Sequence, residues 1–110
     1  MDEAMKKTLH ALGICAKARA LTVGTPMICE AMRGARKPRL VLLAEGNSEN
    51  TVKRLADKCA YYGVEMIFLA VSGEALAEAI GRSSRVAAVA VGDENLCRLV
   101  KKTLEAENPI

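Results

Sequence analysis

Apolar positions at the start of the chain recur at helical spacing. Leu9, Leu12, Ala16 and Ala20 form one stripe of a helix predicted over residues 4–18, and Lys6, Lys7, Lys17 and Arg19 fall largely off it. A short extended piece, Leu21-Thr22-Val23, leads to Gly24. Thr25-Pro26 then opens a second helix, with Thr25 as N-cap and Pro26 at the first helical position, where a missing N–H costs least. This helix runs to Arg33 and stops at Gly34, read as a left-handed terminator. After Pro38 the pattern changes. Arg39-Leu40-Val41-Leu42-Leu43-Ala44 has no polar alternation, as in a strand covered by helices on both faces.

Gly46-Asn47-Ser48-Glu49 turns into a third helix, residues 48–62, ended by Gly63. Val64 to Leu69 reads as the next strand, with Phe68 buried in it. Ser72-Gly73-Glu74 opens a fourth helix that ends at Gly81, and Val86 to Val91 is the last strand. Asp93 caps a C-terminal helix, 94–106, which Asn108-Pro109 ends. Strands alternating with helices imply crossovers and an α/β fold: a single-domain three-layer α/β/α sandwich with a small, mainly parallel (mixed) sheet. The whole chain, 1–110, is expected to form one domain.

Composition narrows the class. Apolar residues make up 51% of the chain, enough for a core. No run of 18 apolar residues exists, and the first residues lack the order of a signal peptide, so a soluble cytoplasmic protein without a membrane partner is expected. Cys15, Cys29, Cys59 and Cys97 form no CxxC pair and no metal-ligand spacing; they read as reduced, mostly buried thiols. Formal net charge is +3, but it is unevenly spread. Residues 1–40 carry +5, residues 41–81 carry −3, residues 82–102 carry +3 and the last eight −2. Two basic segments therefore stand out. They form one face for an anionic partner, or they are ordinary solvated helix faces.

Several chemistries have no residues to carry them. No GxGxxG, GxxxxGK[ST] or GxSxG occurs among the eight glycines. His10, the one histidine, lies mid-helix and reads as a surface or partly packed side chain. Asp93-Glu94 complements a helix dipole better than it forms a catalytic pair, because consecutive helical side chains point about 100° apart. The Gly46–Asn50 loop reads as a capping turn, since Glu49 would repel an anion held on its amides. No enzyme activity, cofactor or metal is expected. Tyr61, Tyr62 and Phe68 share no face, with one tyrosine packed and the other solvated, so base stacking on an aromatic platform is not the expected mode either.

A set of short strings carries a resemblance: Leu12-Gly13-Ile14-Cys15-Ala16-Lys17-Ala18, Val23-Gly24-Thr25, Arg39 to Glu45, Ser48-Glu49-Asn50-Thr51, Lys58 to Val64, Ala79-Ile80-Gly81 and Val89-Ala90-Val91-Gly92-Asp93. Together, over about residues 4–104, the chain resembles the ribosomal protein L7Ae/L30e family and, within it, the small bacterial YlxQ-like branch. The resemblance implies a non-enzymatic accessory protein of the ribosome and translation apparatus, a monomer that binds structured RNA of the kink-turn type or rRNA. A ribosome-associated protein partner is a further expectation. The sharp bend of a kink-turn opens a groove otherwise too narrow for protein, and a helix N-terminus with unpaired amides can enter it.

Carried over residue by residue, the resemblance implies that RNA meets the start of the second helix. Gly24 and Thr25 match the family's Gly-Thr. Pro26 and Met27 stand where polar side chains should read guanine edges, and Glu30 stands where a lysine should meet phosphate. Arg33, one turn on, can neutralise Glu30 through an i,i+3 pair. The second implied contact is the Gly81-Arg82-Ser83-Ser84-Arg85-Val86 segment, with Arg82 and Arg85 for phosphate and Val86 as the apolar contact. Lys17, Arg33, Arg36 and Lys37 add background attraction. A lost base-edge pair costs roughly 1–3 kcal/mol in groove readout. The alternative reading is therefore a protein–protein interaction module on the same scaffold that has lost kink-turn recognition, with Met27 suited to adaptable contacts.

Overall fold

A computed structural model describes residues 5–107. Position 4 of the first predicted helix, and the Asn108-Pro109 stop, lie outside the described residues. The elements are α1 (Lys6–Lys17), β1 (Leu21–Val23), α2 (Thr25–Arg33), β2 (Leu40–Glu45), α3 (Glu49–Tyr62), β3 (Glu65–Ser72), α4 (Gly73–Ala79), β4 (Ala88–Val91) and α5 (Glu94–Glu107). They form the expected three layers around one four-stranded mixed sheet of order β1-β4-β2-β3.

The layering follows from alternation along two strands that are apolar at every core position. Leu40, Leu42 and Ala44 of β2, with Val89 and Val91 of β4, pack against Leu12 of α1, Leu76 of α4 and Val100 of α5. Val41 and Leu43, with Ala88 and Ala90, face the other way onto Ile28 and Met32 of α2 and Leu55 of α3. A strand with both faces buried has no polar side to display, which is why 40–44 reads as an unbroken apolar run.

Strand polarity departs from the expectation of a mainly parallel sheet. Only β2 and β3 are parallel; β4 runs antiparallel to both β1 and β2. The reason lies after α4, which spans only seven residues. The segment that follows it returns the chain to the end from which α4 left, and the Val86 N–H donates to the Gly73 carbonyl at 3.1 Å. Residue Ala88 therefore starts β4 beside Leu43, near the carboxyl end of β2, and the strand must run downward.

Some helix ends also differ from expectation. Gly24, not Thr25, is the N-cap of α2, and Thr25 is already helical with no side-chain cap bond. Gly34 ends α2 in an extended conformation (φ −79°, ψ 175°) rather than a left-handed one. The fourth helix stops at Ala79 with Ile80, not Gly81, at its C-cap, while Ser48, Ser72 and Asp93 side chains accept from the amides of Thr51, Ala75 and Leu96 and Gly63 ends α3 at φ +70°. Phe68 is 60% exposed, not buried. It lies on β3, a sheet edge, where Leu69 and Val71 take the inward positions.

All four cysteines are free and buried. Burial pushes the Cys15, Cys59 and Cys97 thiols above their ordinary value, with Asp93 adding to the effect at Cys15 and Cys29 at Cys59. The folded state thus holds these protons more tightly than the unfolded chain. The stabilisation is complete below the ordinary thiol pKa of about 9.0 and is lost as pH rises through the raised values. Ellman's reagent is expected to react slowly with the native protein at pH 8 and rapidly with all four thiols in denaturant; fast native labelling would contradict their packing.

Candidate nucleic-acid interface

Sheet register brings together segments that are far apart in sequence. Val23 pairs with Val89 across β1 and β4, so the end of β1 lies beside the start of β4. The Gly24 N–H donates to the Ala88 carbonyl at 3.0 Å, and the Gly24 carbonyl accepts from Ile28 N–H at 3.0 Å. One residue is thus tied into both the sheet and the first turn of α2. Its φ of +93° and ψ of 147° turn the chain sharply from strand to helix.

The result is a cleft of about 450 Å³ between the start of α2 and the segment before β4. Gly24, Thr25 and Pro26 line one wall, and Arg82, Ser83 and Ser84 the other. Pro26 removes one donor, but among the described residues no side chain caps the helix, so the Thr25 and Met27 amides stay unclaimed at the positive end of the helix dipole. Met27 lies on the same turn, 60% exposed. Further along α2, Glu30 and Arg33 are both exposed and lie 4.0 Å apart as an i,i+3 pair.

The other predicted site residues divide. Arg82 is exposed and has no carboxylate within ion-pair distance among the described residues. Arg85 lines the cleft, but its guanidinium is occupied. It donates to the Glu45 carbonyl at 2.8 Å and to Asn47 Oδ1 at 3.4 Å, and lies 3.9 Å from Glu74. Asn47 in turn donates to the carbonyls of Ala44 and Ala87, both at 3.0 Å. This clamp joins the β2–α3 loop to the β4 approach, and neither Asn47 nor Glu45 was among the predicted site residues. Val86 is 5% exposed; it packs in the core with α4 and borders the floor of the cleft with the little surface it keeps. Lys17 lies in a different cleft, between α1 and the end of α4. Arg36 and Lys37 follow the far end of α2, about 13 Å away by helix rise.

Residues 6–100 match the sequence profile of the ribosomal protein L7Ae/L30e/S12e/Gadd45 family. The chain belongs to this family. A Bacillus subtilis (strain 168) relative, "RNA-binding protein YlxQ", is 37% identical over 95 residues, which are 86% of this chain and 91% of that protein. Two solved structures superpose closely. One is a Bacillus halodurans protein described as of unknown function, with TM-score 0.80, 29% identity, and coverage of 90% of this chain and 97% of that one. The other is a Giardia lamblia 15.5kD RNA binding protein, with TM-score 0.77, 21% identity, and coverage of 98% and 92%. At that identity the Giardia protein speaks for the L7Ae-type fold alone. In this L7Ae-family chain, the Gly24 turn and the segment before β4 are built into one cleft by a backbone bond and a strand register.

Proposed function

We propose that this protein binds folded RNA in the cleft between the α2 N-terminus and the Arg82–Ser84 segment, as a kink-turn-type accessory factor of the translation apparatus. The observation that carries the reading is the juxtaposition itself. The α2 amides left unclaimed among the described residues share one cleft with Arg82, which has no carboxylate partner among them, and with two exposed serine hydroxyls, all of them phosphate-binding groups. Family membership and the RNA-binding relative support it.

Recognition at this cleft rests on shape and phosphate rather than on base edges. Pro26 and Met27 offer no side-chain hydrogen bonds; they present an apolar platform that fits a sugar or base face. A bent RNA that opens its groove can meet such a platform, and a straight A-form duplex cannot. Two phosphate contacts at this cleft give a salt dependence of log affinity near −1.4 to −1.8.

A gel-shift titration with a kink-turn and a straight duplex at two salt concentrations tests the reading. Preferential, salt-sensitive binding of the bent RNA is expected. Equal and weak binding to both would remove RNA recognition and leave a protein-binding module. Glu30→Lys is expected to tighten kink-turn binding several-fold and steepen the salt slope by about 0.7–0.9, because it places a cation one turn from the cleft. An unchanged slope would put Glu30 outside the RNA footprint.

A further inference from the structure

The opposite end of the sheet gathers a second cluster of cations that the α2 cleft does not use. Leu21 and Leu40 both pair with Val91, so the starts of β1 and β2 converge on the end of β4. The segments leading into these strands carry Arg19, and Arg36 with Lys37; Gly92-Asp93 leaves β4 between them. They enclose a cleft of about 510 Å³. Its one carboxylate, Asp93, is engaged as the α5 cap, with Oδ1 accepting from Leu96 N–H at 2.9 Å.

Carboxylate pairing divides the cations, and several outside this cleft, Arg54 and Arg82 among them, also have no such partner among the described residues. Arg33, Arg39, Lys53, Arg85, Arg98 and Lys101 each lie against a carboxylate. Neither Arg19 nor Arg36 does so among the described residues, and Lys37 is held instead over the Tyr62 ring at 5.7 Å. Arg19 is also the one described non-glycine residue with positive φ, at +57°. It follows the C-cap of α1, where Arg19 N–H bonds the Ala16 carbonyl and Ala20 N–H the Cys15 carbonyl. Glycine is the residue that suits such a turn, so an arginine there works against backbone preference. The strain is explained if its side chain is needed.

We propose that Arg19, Arg36 and Lys37 form a second phosphate-binding seat, which takes the backbone of a helical arm extending from an RNA held at the α2 N-terminus. This rests on the function proposed above. The two seats lie at opposite ends of α2, and the exposed Met27, Glu30 and Arg33 run along the helix between them. An RNA that fills only the first cleft falls short of the second. An arm lying alongside α2 reaches it.

The test compares a kink-turn RNA with a full-length arm against one with that arm trimmed to its last few pairs. Wild-type protein and the triple variant Arg19→Gln, Arg36→Gln, Lys37→Gln are titrated with each at several salt concentrations. The triple variant is expected to bind the long RNA at least 10-fold more weakly, with the salt slope shallower by about 2, and the trimmed RNA as wild type does. Equal affinities of variant and wild type for the long RNA would overturn the second seat. So would an equal loss on both RNAs, which would make the cations a diffuse field instead of a contact. Failure of the wild type to bind either RNA would overturn the proposed function and this seat with it. Arg19→Gly separates function from folding: the melting temperature is expected to rise while affinity for the long arm falls. A fall in both would make Arg19 structural.

Discussion

Gly24→Val is expected to lower the melting temperature by roughly 10–15 °C and to remove kink-turn binding at temperatures where the variant is still folded. Gly24 occupies φ +93°, ψ 147°, next to a region that side-chain-bearing residues hardly enter. A Cβ added there meets nothing within 4 Å, so the penalty is torsional rather than steric overlap with neighbours. Holding a β-branched residue in such a conformation costs about 1–3 kcal/mol. At roughly 4–8 °C per kcal/mol for a domain of about this size, the upper half of that range gives the expected shift. The backbone can escape by rotating away. It then loses the bond from Gly24 N–H to Ala88 or the one from Ile28 N–H to Gly24, and either loss moves the α2 amides out of the cleft. A thermal melt followed by circular dichroism, with a gel shift well below the midpoint, measures both effects. Wild-type stability in this variant would show that the turn relaxes freely and does not fix the helix start.

Much of the architecture was legible because β2 has apolar residues at every position from Leu40 to Ala44. Such a short run after a proline fits a strand sandwiched between layers, and the capping residues Ser48, Ser72 and Asp93 then place three helices. Strand direction was not legible. Val86 to Val91 looks the same in either polarity, and only the return of the chain to Gly73 decides it. The α2 cap was misplaced by one residue because Thr25 is a good cap by type, while Gly24 is needed for a backbone turn that no side chain announces. The candidate site divides in the same way. Gly24, Thr25 and Arg82 stood out through resemblance, but their adjacency depends on the pairing of Val23 with Val89. Arg85 has a structural use that charge alone does not reveal. Its partners Glu45 and Asn47 lie some 40 residues earlier, and nothing local marks them. Val86, the expected apolar contact, is shared between the core and the edge of the cleft, a division that only the fold reveals.

Arg85 therefore sets up the sharper test of how the cleft is made. Arg85→Ala is expected to lower the melting temperature by roughly 6–12 °C and to weaken RNA binding more than 10-fold. A hydrogen bond from a charged donor contributes about 1.5–3 kcal/mol, and partial exposure of the side chain places this one in the lower half of that range. The stem adds packing over Gly73, where an added Cβ would come within 2.5 Å of Arg85 Cγ. Without the clamp, the β2–α3 loop and the Arg82–Ser84 wall lose their direct tie through the guanidinium. Arg85→Lys discriminates clamp from phosphate contact. A lysine keeps the charge but cannot span the Glu45 carbonyl and Asn47 Oδ1 with one planar fork. If Arg85 is a clamp, lysine behaves like alanine both in the melt and in RNA affinity. If it met phosphate directly, lysine would restore most of the affinity, and alanine would reduce the slope by about 0.7–0.9. Because the guanidinium already points at the Glu45 carbonyl, the first outcome is the one expected: Arg85 holds the wall in place, and Arg82 on that wall meets the RNA.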